Sequence, residues 1–153
     1  MLRPLHVFTL AVALYASALC ACHKTDIQEQ DITEVTLPNG KTIRAETMLQ
    51  PIDQMRGMMF RDSLAKDRGM LFVHAAEGNY PYWMYQVRIP LDIIWMDRQL
   101  RIVEISANTP PCPSTAAHEC PNFGGHEKAR YVLELAGVGA AEYGLHVGDT
   151  LKF

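Results

Sequence analysis

From Thr33 onward, no stretch of this chain carries an apolar stripe long enough for a helix that could cross between parallel strands. Short strand-like runs follow one another through tight turns instead, and that pattern limits the fold more than any single motif. Thr33–Leu37 and Lys41–Leu49 flank Pro38-Asn39-Gly40, where Asn-Gly supplies the left-handed backbone angles of a hairpin turn. Gly69–Ala75 (GMLFVHA) is continuously apolar, as expected of a strand that lies centrally or is buried on both faces. Tyr82–Val87 and Leu91–Met96 follow, with Pro90 at the entry of the second because it has no N–H to give a ladder. Asp97-Arg98-Gln99 turns the chain into Leu100–Ser106. Arg130–Ala136 is predicted as a further strand and Gly148–Phe153 as an edge strand. Only two short helices fit, Ile52–Met58 started by Pro51, and one or two turns within Gly137–Tyr143. The expected class is α+β, predominantly β: about seven strands and two short helices, in a mostly antiparallel sheet curled into a barrel or a two-layer sandwich.

The first residues set an address rather than a fold. Arg3 precedes the apolar run Val7–Leu19, the layout of a secretory signal, and that run is too short to span a bilayer as a helix. Leu19-Cys20-Ala21-Cys22 resembles the bacterial lipobox, which implies that Cys22 becomes the acylated first residue of the mature protein. The expected division is a signal over residues 1–22, a polar tether over 23–32 and one globular domain over 33–153. His23-Lys24 after Cys22, with no aspartate there, suggests the periplasmic face of an outer membrane. The membrane is thus an expected partner through the lipid on Cys22. The net charge is −3, and loss of Arg3 with the signal makes it −4. No basic patch or charge run occurs, so nucleic acid is not an expected partner.

Two cysteines remain in the mature body, Cys112 and Cys120, eight positions apart in the loop PPCPSTAAHECP. In an oxidising compartment they most simply form one disulfide, worth about 2–3 kcal/mol through restriction of the unfolded chain. A redox-active pair is the alternative, although the compact C-x-x-C spacing that lowers a thiol pKa is absent.

Two acids interrupt apolar strands. Asp92 lies in Ile89-Pro90-Leu91-Asp92-Ile93-Ile94-Trp95 and Glu134 in Val132-Leu133-Glu134-Leu135. A buried carboxylate is costly unless paired or hydrogen-bonded. Asp92 can form a fold-fixing ion pair with Arg61, Arg56 or Arg88, or it can line a cleft as a ligand contact or general base. Glu134 can face solvent on one side of a sheet, or join Asp92 in a shared cleft as an acid–base pair. Tyr80, Tyr82, Trp83 and Tyr85 cluster with Asn79 and Pro81, fitting either strand packing or stacking on sugar rings or a peptide. Met55, Met58, Met59, Met70, Met84 and Met96 read as core filler before they read as a thioether copper site. The histidines have no zinc-site spacing, no Gly-rich phosphate loop occurs, and Gly-x-Ser-x-Gly is absent. No cofactor or metal is expected.

Three blocks carry a family resemblance: Arg56-Gly57-Met58-Met59-Phe60-Arg61, Gly69-Met70-Leu71-Phe72-Val73, and Tyr82-Trp83-Met84 leading to Ile89-Pro90-Leu91-Asp92. With the Cys112–Cys120 loop, Val132–Leu135 and Gly148-Asp149, the mature chain resembles the family called domain of unknown function 192. The resemblance implies a fold and a site location but no activity. This chain has Gln86-Val87 where the family usually has Asn-Thr after Trp-Met. The expected function is that of an exported envelope lipoprotein, non-catalytic, binding a small molecule, saccharide or protein through a cleft near Trp83, Arg61 and Asp92. Met84, Gln86 and Glu134 are further candidate contacts. The alternative is a carbohydrate-active or other hydrolase-like enzyme using Asp92 and Glu134.

Overall fold

The computed structural model describes residues 32–153, so the signal, Cys22 and most of the tether lie outside the described residues. Eight strands form: β1 Ile32–Thr36, β2 Thr42–Met48, β3 Arg68–Gly78, β4 Tyr82–Trp83, β5 Leu91–Met96, β6 Ile102–Thr109, β7 Asn122–Phe123 and β8 Ala129–Ala136. Helix α1 is Pro51–Arg56 and α2 is Gly139–Tyr143. Six strands make one sheet in the order β1-β2-β3-β8-β5-β6, and β4 pairs with β7 in a separate two-stranded ribbon. All neighbours are antiparallel except β2 and β3, so the expected β-rich, mostly antiparallel curled sheet is what forms. The parallel pair needs a crossover, and α1 with the loop after it supplies one without a long helix.

Two predicted strands change character. Tyr82–Val87 shortens to the two residues of β4, because Gln86 turns left-handed at φ 56° and breaks the extended run. Gly148–Phe153 forms no ladder of its own and joins both outer strands through single bridges. Lys152 pairs with Thr36 at the end of β1, and Thr150 pairs with Arg101 at the mouth of β6. Backbone bonds from Ile102 N–H to the Asp149 carbonyl and from Leu151 N–H to the Leu100 carbonyl complete the join. This segment clasps the two edges of the curled sheet together.

Closure gives each sheet face its own core. The inner face is filled by residues such as Val35, Ile43, Leu71, Ile94, Ile102, Leu133 and Leu151, with Ala140 of α2 and Leu145 beside them. The outer face carries Met70, Phe72, Leu91, Ile93, Trp95 and Val132, under Met58, Met84 and Val87 from the covering loops. β5 is buried at all six positions because it is packed from both sides. The Cys112–Cys120 disulfide holds the loop over the outer layer, and Cys112 itself packs against that core. Gly124 passes so close to Trp95 that the indole leaves no room for a Cβ there.

Candidate functional site

Pairing register decides which way each unusual acid points. Asp92 lies opposite Leu135, and Ile93 opposite Glu134. Successive residues of a strand face opposite sides, so Asp92 goes to the inner face with Ile94, while Glu134 goes to the outer face with Ile93 and Val132. The two carboxyls therefore share no cleft, and the predicted acid–base pair is not assembled.

Asp92 is sealed, with no exposed surface. Its partner is none of the predicted arginines but the backbone at the end of β6 and at the start of α2. Oδ1 accepts the N–H groups of Asn108 at 2.6 Å and Val138 at 3.2 Å, and Oδ2 accepts that of Ala140 at 2.6 Å. Asn108 and Val138 are both left-handed, at φ 48° and 66°, which a β-branched residue rarely adopts. Asp92 is a buried staple that fastens the end of β6 to the start of α2, and it lines neither described cleft.

Glu134 has the opposite character. Across the outer face, Glu46 of β2 lies beside Met70 of β3, and Met70 beside Glu134 of β8. Glu46 is thus two strands from Glu134 in the same row. Arg61, on the loop after α1, reaches down to this row and forms a two-pronged pair with Glu46, Nη1–Oε1 2.6 Å and Nη2–Oε2 2.7 Å. The hydrogen bond and charge of Glu46, with a smaller contribution from the charge of Glu134, raise the Arg61 pKa despite partial burial. Glu134 is 4 % exposed, and its Oε2 has no hydrogen-bond partner. Burial pushes its pKa up to about 8, only partly offset by the charge of Arg61. At neutral pH this carboxyl is an acid with a proton to donate.

Above Glu134 opens a small cleft. Gln54, Met55, Arg56 and Met59 form one wall, Trp83 and Tyr85 the other, and Phe72 and Tyr82 join Glu134 below. It leaves about 30 Å³ for the centres of water molecules, room for one or two of them. The aromatic cluster divides between packing and rim. Tyr82 packs edge-on against Phe72 and Trp95, its hydroxyl meets His74 Nε2 at 3.2 Å, and Tyr80 stacks on His74. Burial, then the charges of Glu134 and Tyr80, hold the Tyr82 phenol well above its usual pKa. Burial also lowers the His74 pKa, as does the charge of Arg130. Trp83 and Tyr85 sit with ring centroids 5.4 Å apart, and Trp83 stays 37 % exposed.

Of the predicted contacts, Trp83 and Glu134 meet at the cleft, and Arg61 stands over the same row. Met84 is fully buried in the outer core. Gln86 is exposed, and its backbone carbonyl accepts the Phe60 N–H at 2.9 Å, tying the two rim loops together. Its left-handed backbone gives a local reason for asparagine at that position, since asparagine tolerates these angles better than glutamine. Sequence reasoning missed Glu46 and Gln54. Glu46 was legible only as one more acid in an alternating strand, and Gln54 lies in a helix without visible amphipathic order. Among the described residues no group of three His, Cys, Asp or Glu could hold a metal ion.

The chain resembles two crystal structures over most of its length. A protein of unknown function from Novosphingobium aromaticivorans is 30 % identical, with a TM-score of 0.71 over 80 % of this chain and 85 % of that one. A Sinorhizobium meliloti protein described as "a putative transcription regulator" is 28 % identical, with a TM-score of 0.66 over 78 % and 89 % of the two chains. No curated protein matches. The profile of DUF192, described as an uncharacterized ACR, matches residues 34–153, all of the barrel and its clasp but the first two residues of β1, and the chain belongs to that family.

Proposed function

We propose that this domain is a non-catalytic binding module, carried in the cell envelope on a lipid at Cys22, that takes its ligand at the cleft above Glu134. The ligand presents a flat face to Trp83 and Tyr85 and a hydrogen-bond acceptor to the protonated Glu134 carboxyl. A saccharide offers both features, a ring face and hydroxyl oxygens. The observation that carries this reading is Glu134 itself, which lines the cleft and whose buried Oε2 has no hydrogen-bond partner. A buried polar atom left without a partner costs about 1–3 kcal/mol, and strongly perturbed acids cluster at functional sites. The name of the Sinorhizobium meliloti neighbour would point to DNA, but a net charge of −3 and an acid under the cleft give that reading no support here.

The test is a calorimetric and NMR titration of the processed, detergent-solubilised protein with saccharides and short peptides. Binding should perturb the signals of Trp83 and Tyr85, weaken about tenfold in Glu134→Ala, persist in Glu134→Gln because an amide still donates, and fade as pH rises past 8. Binding that ignores Trp83→Ala and Glu134→Ala would remove the cleft as the site. Labelling with a radioactive fatty acid tests the anchor: Cys22→Ser should abolish incorporation.

A further inference from the structure

Helix α1 is built inside out. None of its residues is buried. Its polar Gln54 turns inward, donating from Nε2 to the Met48 carbonyl at 3.1 Å and the Val73 carbonyl at 3.0 Å. Its apolar Ile52 and Met55, three positions apart and so on one helix face, are 68 % and 61 % exposed. Leu49, just before the helix, is 60 % exposed, and Phe60, on the loop after it, 50 %. Trp83 lines the same cleft as Met55. Of the eight large apolar residues exposed among the described residues, these five gather at one end of the outer layer. Such a concentration, unlike scattered single residues, marks an interaction surface.

We infer that this face rests on the lipid bilayer while the cleft is empty, with Leu49, Ile52, Met55, Phe60 and Trp83 entering the interfacial layer, so that membrane and cleft ligand compete for Trp83 and Met55. The inference rests on the lipid-anchor reading of Cys22. The chain enters β1 at Ile32, which lies opposite Glu46, and Glu46 is only two residues before Met48, where β2 ends and the approach to α1 begins. The anchor therefore joins the domain beside the apolar face. Nine residues, 23–31, separate Cys22 from Ile32, and a chain of that length reaches at most about 33–36 Å. The domain is about 35 Å across by the size scaling of compact chains, so the anchor keeps the Ile32 end of the domain within about one domain diameter of the membrane. The charges around the patch cancel. Arg61 is paired with Glu46 and Arg88 with Asp62, which leaves Asp53 and Arg56 on α1. A neutral apolar patch with a tryptophan at its margin suits the bilayer interface and does not depend on anionic lipid.

The test uses the processed protein on phosphatidylcholine vesicles whose acyl chains are brominated just below the headgroup, with tryptophan fluorescence as the readout. The chain has two tryptophans, and Trp95 is fully buried, so contact quenching reports on Trp83. Quenching by a third or more is expected. It should disappear in Trp83→Phe, fall by at least half in the double variant Ile52→Ser/Met55→Ser, and be unchanged by 0.5 M salt. Unquenched fluorescence, or equal quenching in the double variant, would overturn the inference. Vesicle flotation separates this from a failure of the anchor. If the native protein does not float, a chain carrying a histidine tag in place of Cys22 on nickel-chelating lipid is read the same way, and its quenching alone decides whether the face docks.

Discussion

Replacing Glu134 by glutamine removes an acid whose ionisation the fold tolerates poorly, and the size of the effect follows from how far burial lifts its pKa. In the unfolded chain the carboxyl titrates at 4.5, in the folded domain at about 8. Between those values the folded state keeps a proton that the unfolded state has released. Stability from this group is therefore complete below pH 4.5 and is lost as pH rises, until the folded carboxyl also ionises near 8. At about 1.4 kcal/mol per pH unit, the loss is about 3 kcal/mol at pH 7 and about 5 kcal/mol above pH 8. The amide of Glu134→Gln does not titrate, so the variant should match the parent near pH 4.5 and exceed it by about 3 kcal/mol at pH 7, a rise in Tm of roughly 10 °C. Urea unfolding of both proteins from pH 4.5 to 9 gives the difference directly. Two stability curves that run parallel across that range would refute the buried, protonated Glu134.

Asp92→Ala should be the mirror image, destabilising by about 3–5 kcal/mol in urea because three backbone N–H groups lose their acceptor; a loss under 1 kcal/mol would mean that the loops find other partners. Cys112→Ser should lower stability by about 2–3 kcal/mol, since the disulfide closes a short loop, and alkylation of the untreated parent should find no free thiol there. Gln86→Gly should raise stability by about 0.5–1 kcal/mol because the backbone at that position is left-handed, and a destabilised variant would point to a side-chain role for Gln86.

The strands could be read from the sequence because their signals are local: Asn-Gly between alternating runs, Pro90 at an entry, and β5 as a block of apolar residues. The predicted strand Tyr82–Val87 stopped after the two residues of β4 for an equally local reason, a left-handed Gln86 with no compositional mark. What could not be read was the direction of the two acids. A slip of one residue in pairing moves a whole strand's side chains to the other face, so Asp92 and Glu134 looked equivalent in sequence and separated only when β5 met β8. The partners of Asp92 are main-chain groups 16 to 48 residues downstream, supplied by loop shape and not by residue type. Arg61 was singled out, but its partner Glu46 is fixed by the parallel pairing of β2 with β3, which a search for hairpins does not find. The apolar face of α1 escaped because the sequence suggested a helix there without saying that its polar side turns inward.

The clasp has a consequence for the order of folding. Lys152 and Thr150 tie β1 to β6, so the barrel stays open until residues 148–153 have been made. A chain still in synthesis can build hairpins but has no way to lock them, and both outer strands keep unpaired backbone at their edges. Such a chain remains loose enough to be threaded through a narrow pore, then sets once the final strand-joining residues arrive. The same dependence makes the tail fragile. Removing 148–153 would return two raw edges to the sheet, the geometry from which chains add to one another.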